Sequence, residues 1–223
     1  MRYFKENRQQ GFTLIELLIA MALALIIIGA LSGAFVSQRK AYDTQEQISE
    51  MNQNARAALG MMSGEIKMAG FAPTGYDTAY ENDPTVAQTS PMMQRIDSTA
   101  ARFVGIPYGE TELQIIADLN GDGDTSDTDE NVTYAYDSTN KKITRTTGGA
   151  TDDLVENIQS FTFKYLESDG VTEVTNSANV GNIREIQITI TARTAEPDPD
   201  YSDNSGYRTT TLTSNITPPN LAL

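Results

Sequence analysis

A short acidic segment, DLNGDGDTSDTDEN, has oxygen ligands at the spacing that a hard cation requires. Asp118, Asn120 and Asp122 occupy positions one, three and five of a calcium-loop pattern. Gly123 falls at position six, where such a loop turns sharply, and Asp124 at position seven would offer its backbone carbonyl. The sequence therefore predicts that this loop binds Ca²⁺, which accepts more oxygen ligands in looser geometry than Mg²⁺ does.

The closing ligand of this loop departs from the usual pattern. Position twelve falls on Asp129 where a glutamate is usual, and Glu130 follows directly, so both are candidate ligands. Loops of the dockerin type, which end in aspartate, resemble this one. The flanking segments LQIIA and NVTYAYD are typical of strands, which predicts a calcium-stapled β connection over residues 118–130. The alternative is a solvent-exposed turn without metal.

A single carboxylate, Glu16, stands at the head of an apolar run. The twenty residues from Leu17 to Val36 carry no charge, and as a helix they would span roughly the 30 Å hydrocarbon thickness of a bilayer. This predicts a transmembrane helix. An acid beside lipid is costly, so either a partner compensates for Glu16 or its side chain reaches back to the membrane interface.

Composition excludes several classes of function. The chain has sixteen basic and thirty acidic residues and a net charge of −14, which disfavours nucleic acid as a partner. It has no Cys and no His, so thiolate nucleophiles and the commonest general base are missing. Carboxylate pairs such as Asp152 and Asp153 are interpreted as a solvated loop. We assign no catalytic residue and do not expect an enzyme.

The N-terminus differs from a secretory signal because its small residue, Gly11, precedes the apolar run instead of following it. A cut after Gly11 would remove residues 1–11 and leave the apolar segment on the mature chain. The removed piece, MRYFKENRQQG, is net positive, which favours a cytoplasmic location for that end.

The segment GFTLIELLIAM resembles the N-terminus of type IV prepilins and the related pseudopilins. This resemblance implies a leader peptide over residues 1–11, cleavage after Gly11 by a prepilin peptidase, and N-methylation of Phe12. Glu16 matches the family's acid at the fifth mature position, which is thought to pair with the terminal amine of a neighbouring subunit. The implied protein is a single-pass bacterial inner-membrane subunit with a periplasmic head. It would lie in membrane lipid before the inner-membrane assembly platform transfers it to a filament of major and minor pilins.

A long helix is predicted over residues 12–70. Residues 12–36 form its transmembrane or filament-core half, and residues 37–72 cover its amphipathic half. The segment ARAALGMMSGEIKMAGFAPTG resembles the PilW-type minor pilins and the pseudopilins of the PulJ type, and Gly70 and Pro73 favour a helix end there. The apolar stripe that should face a globular head is Ile48, Met51, Ala55, Leu59, Met62, Ile66 and Ala69.

Residues 73–223 are predicted to form an antiparallel β-sheet head, which makes the fold class α+β and pilin-like. Residues 73–110 are interpreted as loops that carry short strands. Beyond them, segments such as IREIQITITAR alternate apolar and polar residues, and DSTNKK supplies a turn. The ending SNITPPNLAL resembles that of PilW-type proteins, except that Pro219 stands where an arginine often precedes Asn220 and Leu221.

Three functions remain open at this level. The first is a minor pilin that initiates or caps a type IV pilus. The second is a minor pseudopilin of a type II secretion system, which uses the same N-terminal chemistry. The third is a pilus-tip adhesin with a calcium-stabilised head, for which Tyr76, Tyr80 and Tyr108 could form a contact surface.

Overall fold

A computed structural model describes residues 11–71, 96–97, 102–103, 105–121, 125 and 127–221. Their regular structure is α-helix followed by antiparallel β-sheet, which confirms the predicted α+β class. The helix α1 is Leu14–Met68, and the strands are β1 (Ile96–Asp97), β2 (Arg102–Phe103), β3 (Glu112–Ile116), β4 (Asn131–Asp137), β5 (Lys142–Thr147), β6 (Ala150–Val155), β7 (Ile158–Leu166), β8 (Glu185–Arg193) and β9 (Thr209–Ile216).

The chain divides into two compact units between Glu46 and Gln47. In the first unit, the apolar part of α1 is long and apolar enough to cross a membrane, and no part of that window is buried. Its large side chains, from Leu14 to Val36, are exposed on every face of the helix.

The second unit contains the sheets. The order β3-β4-β5-β6 gives a four-stranded sheet and the order β7-β8-β9 a three-stranded sheet, and all neighbours in both are antiparallel. The short strands β1 and β2 pair separately. The prediction of one sheet was therefore too simple, because the strands of the described residues separate into more than one sheet. The predicted turn DSTNKK does join β4 to β5.

Strand β6 was not expected. Asp152 and Asp153 lie within it, so their interpretation as a solvated loop was wrong. Gly148 and Gly149 both have positive φ, 53° and 78°, as a two-residue hairpin turn requires when its twist matches the flanking strands. This pair of glycines is the sequence signal for the hairpin between β5 and β6.

The core of the second unit lies between the stripe on α1 and both larger sheets. In β8, Ile186, Ile188 and Ile190 are fully buried and alternate with residues that are only partly covered, as predicted. The predicted stripe is buried at Met51, Ala55, Met62 and Ile66 of α1 and at Ala69 directly after it. Ile48 and Leu59 are only partly buried, and Ala58 is an unpredicted buried member.

The C-terminal end of α1 is attached to the sheets by backbone hydrogen bonds. Gly70 has φ 71°, a left-handed conformation that ends the helix. Its amide donates to the carbonyl of Ile116 at 3.0 Å, and the amide of Asp118 donates to the carbonyl of Phe71 at 2.8 Å. The side-chain amide of Asn220 donates to the carbonyl of Ala69 at 3.2 Å.

Two adjacent methionines test the packing of α1. Met62 is fully buried, whereas Met61 is 50% exposed. We expect Met62→Ala to lower the free energy of unfolding by about 2 to 5 kcal/mol, because it removes buried surface and leaves a cavity. Met61→Ala is the matched control and should change it by less than about 0.5 kcal/mol. Urea denaturation of the full chain in mild detergent, followed by tyrosine fluorescence, measures both. Equal effects would contradict this packing.

Candidate functional site

The N-terminal end of α1 is held by Thr13 and Glu16. The backbone amide and the hydroxyl of Thr13 each donate to Glu16 Oε2 at 2.9 Å, and the amide of Glu16 donates to Thr13 Oγ1 at 3.3 Å. This is a capping box, in which a threonine and a glutamate three residues later satisfy amides that a helix start leaves unpaired. The spacing of Thr13 and Glu16 is its sequence signal, which our sequence analysis missed.

The predicted cleavage site lies just before the helix. Gly11 and Phe12 precede Leu14, have no regular structure and are exposed, with Phe12 90% exposed. Residues 1–10 of the predicted leader lie outside the described residues. The predicted cleavage point, between Gly11 and Phe12, is therefore followed by exposed chain outside the helix.

The structure describes the two ends of the acidic loop, residues 118–121 and 127–130, and Thr125 between them. Asp118 is completely buried, and its Oδ1 accepts a hydrogen bond from the amide of Gly121 at 2.6 Å. Asn120 is exposed and donates from its side chain to Asp127 Oδ2 at 2.6 Å. Two of the predicted ligands, Asp122 and Asp124, lie outside the described residues.

The two candidate closing ligands lie in different surroundings. Asp129 is exposed and its Oδ1 pairs with the guanidinium of Arg145 at 2.6 Å. Glu130 is buried, and its Oε1 accepts hydrogen bonds from the amides of Leu119 at 2.8 Å and Asn120 at 3.2 Å. Among the described residues, no group of three or more carboxylates is close enough to hold a metal ion. The calcium site thus stays a prediction.

An ion-pair cluster joins α1 to the four-stranded sheet, and sequence analysis missed it. Arg145 of β5 pairs with Glu65 of α1 at 2.7 Å and with Asp129. The hydroxyl of Tyr134 in β4 donates to Glu65 Oε2. Glu65 was expected to lie off the apolar stripe, and nothing in a sequence pairs it with an arginine 80 residues away.

Raised pKa values keep both Tyr134 and Arg145 protonated in this cluster. Burial raises the pKa of Tyr134 far above its usual value, and the neighbouring Glu65 carboxylate raises it further. Burial would lower the pKa of Arg145, but its hydrogen bonds to Glu65 and Asp129 outweigh that and raise it. Tyr134 therefore remains a donor and Arg145 a cation at every physiological pH.

Tyr108, one of the three tyrosines considered for an adhesin surface, packs against the core of the second unit. The ring of Tyr108 lies 5.6 Å from that of Tyr165 and belongs to the layer packed against the core. Tyr76 and Tyr80 lie outside the described residues. Local packing accounts for Tyr108.

Comparison with known proteins gives one match. Residues 7–32 match the family model of the prokaryotic N-terminal methylation motif. The match covers Gly11, Phe12 and Glu16 and supports the prepilin and pseudopilin class, whose members are structural subunits that are processed and assembled with other pilins. No curated protein and no solved structure matches the chain.

The ion-pair cluster predicts a specific loss of stability. Arg145→Gln leaves the partly buried Glu65 carboxylate without its cation, so the free energy of unfolding should fall by about 1 to 3 kcal/mol. The matched control is Lys164→Gln, which removes a strand cation from the exposed pair with Glu173 and should change it by less than about 1 kcal/mol. Urea denaturation measures both. An unchanged midpoint for Arg145→Gln would show that the cluster is not stabilising.

Proposed function

We propose that the chain is a minor pilin of the PilW type that initiates or caps a type IV pilus. The observation that carries this proposal is the methylation motif at residues 7–32, which continues into an apolar helix that the described chain leaves uncovered. A helix that is apolar on every face is stable only when lipid or other apolar helices surround it. Lipid provides this before assembly, and the helices of other pilins provide it in the filament.

Glu16 contributes a carboxylate to the proposed contact between subunits. A carboxylate among apolar helices attracts a nearby ammonium strongly, by about 4 kcal/mol at 4 Å and an effective dielectric constant of 20. Cleavage after Gly11 creates such an ammonium on Phe12. The carboxylate then pairs with the new amine of a neighbouring subunit, which sets the axial register between subunits.

The capping box is compatible with this pairing. Both hydrogen bonds from Thr13 go to Glu16 Oε2. The other carboxylate oxygen, Oε1, accepts no hydrogen bond from the described residues and is exposed. Thr13 therefore orients the carboxylate towards the helix start, and Oε1 remains available to an amine from another chain.

The positively charged leader favours an N-terminus in the cytoplasm and a head in the periplasm. The partners in this proposal are prepilin peptidase, the inner-membrane assembly platform, and other minor and major pilins. A minor pseudopilin of a type II secretion system is the rival, because it uses the same N-terminal motif. Deletion of the gene distinguishes them: loss of surface filaments favours the pilus, and intact filaments with lost exoprotein export favour the secretion system.

Processing can be tested by mass spectrometry of the protein from its native membrane. The expected mass is that of a chain which starts at Phe12 and carries one methyl group. Gly11→Leu should retain the leader, because its bulk fills the cleavage position where the motif has a glycine. Gly29→Leu is the control and should be cleaved normally, because it makes the same substitution at a glycine within α1, away from the cleavage site. A native protein with an intact leader would overturn the proposal.

Assembly can be tested with Glu16→Gln. This variant keeps an oxygen acceptor for the capping box but removes the charge, so its incorporation into filaments should fall by about tenfold or more. Glu46→Gln is the matched control, since Glu46 is an exposed glutamate of the same helix, and it should be incorporated normally. Immunoblots of sheared filaments measure incorporation, and mass spectrometry checks that both variants are cleaved. Normal incorporation of Glu16→Gln would contradict the role of its charge.

A further inference from the structure

Strand β9 lies at the edge of its sheet and lacks the features by which proteins usually protect such an edge. It is the last strand in the order β7-β8-β9, and no described strand lies on its other side. Its eight residues carry no charge, and they pair with β8 without a bulge. By contrast, β6 at an edge of the four-stranded sheet contains Asp152 and Asp153. An unprotected edge of this kind can pair with a further strand.

The free edge of β9 presents a row of backbone polar groups. The amide of Thr194 donates to the carbonyl of Arg208 at 2.9 Å, which makes these residues a bonded pair directly before the ladder of β8 and β9. Bonded and non-bonded pairs alternate in an antiparallel ladder. The residues of β9 whose amide and carbonyl point away from β8 are therefore Thr209, Thr211, Thr213 and Asn215. On that side, none of the four forms a backbone hydrogen bond with a described residue.

An open groove of about 380 Å³ lies beside this edge, between β9 and α1. Its lining residues are Arg56, Leu59, Gly60 and Ser63 of α1 and Leu212, Thr213 and Ser214 of β9. Leu59 and Leu212 are partly buried and give the groove an apolar wall. A Cβ atom at Gly60 would meet no other atom within 4 Å. The groove therefore has room for side chains of an added strand.

The charge of the groove indicates what kind of segment fits it. Among the described residues that line it, only Arg56 is charged. Arg56 is exposed, and its side chain forms no ion pair or hydrogen bond with a described residue. No acid lies three or four positions from it along the helix, where a side chain could reach it. A carboxylate on the incoming segment would complement this cation.

We propose that the free edge of β9 binds an extended, acidic segment of another pilin subunit as an added strand. The choice of a pilin as the source rests on the proposed function, whereas the binding mode does not. Main-chain hydrogen bonds to Thr211, Thr213 and Asn215 would give affinity, and the groove would select an apolar side chain and a carboxylate. The β9 edge of a second copy is a poorer occupant, because it carries no carboxylate and two chains of net charge −14 repel each other.

The first test is amide hydrogen exchange of the full chain in mild detergent, followed by NMR. Without a partner, the amides of Thr211, Thr213 and Asn215 should exchange about tenfold or more faster than those of Leu212 and Ser214, which bond to β8. Similar protection of all five amides in the protein alone would show that the edge is already covered, and it would overturn the proposal.

The probe for binding is a synthetic peptide with the sequence of β8, Glu185–Arg193, which carries Ile190→Asp. The alternation of β8 already suits pairing with β9, and in the register of β8 the new carboxylate lies opposite Leu212 in the groove. At millimolar concentration, this peptide should slow exchange at Thr211 and Thr213 by about tenfold or more. The same peptide with Ile190→Asn should bind about threefold more weakly, because it lacks the charge. No protection by the aspartate peptide would overturn the added strand, and equal binding of both peptides would overturn its acidic character.

Two glycines of α1 provide a matched pair of variants. Gly60→Leu fills the groove, whereas Gly64→Leu adds the same side chain to α1 outside the groove lining. A Cβ at either position meets no atom within 4 Å, and both substitutions favour the helix, so both variants should fold. Gly60→Leu should abolish protection by the aspartate peptide, and Gly64→Leu should leave its Kd within about twofold. Equal Kd values for the two variants would overturn the groove as the binding site.

Sedimentation of the protein without peptide tests the other occupant. The full chain in detergent should give the same mass for the parent and for Gly60→Leu. A dimer that Gly60→Leu disrupts would show that a second copy occupies the edge, and it would overturn the choice of partner. None of these measurements depends on filament assembly, so a failure of the proposed function would not change their outcome.

Discussion

The apolar half of α1 imposes the main constraint on this molecule. From Leu17 to Val36 it carries no charge, and its side chains are exposed on every face. Water cannot be the lasting environment of such a helix, because its apolar surface is much more stable in lipid or against other helices. The N-terminal methylation motif of residues 7–32 occurs on this same segment. The proposed membrane anchoring and the proposed assembly would both satisfy this one physical requirement.

The second half of α1 differs from the first because its apolar side chains form a stripe on one face and are buried. Its stripe from Met51 to Ile66 is buried against both larger sheets, so this part of the helix belongs to a folded head. Gly70 ends the helix in a left-handed conformation, and hydrogen bonds from Gly70 and Asp118 attach that end to the strands. One continuous element thus carries an uncovered apolar surface in one unit and a buried stripe in the other, without any proline between them.

One polar cluster of the head links α1 and β5 with the end of the acidic loop that precedes β4. Arg145 connects Glu65 of the helix with Asp129 at the end of the acidic loop. Glu130, the next residue, turns inward and is buried. Neighbouring acids of the same loop therefore have different surroundings, one paired with an arginine and one enclosed by backbone amides. This difference in burial and pairing comes from their tertiary contacts and not from their position along the chain.

Local patterns in the sequence determined the helix, its end near Gly70 and the alternating strand β8, because each depends on the periodicity or conformation of adjacent residues. The capping box of Thr13 and Glu16 and the Gly148-Gly149 hairpin were local too and could have been predicted. Only the tertiary structure decided the division of the strands into separate sheets, the pairing of Glu65 with Arg145, and the different surroundings of Asp129 and Glu130. These depend on contacts between residues distant in the chain, which no local pattern encodes.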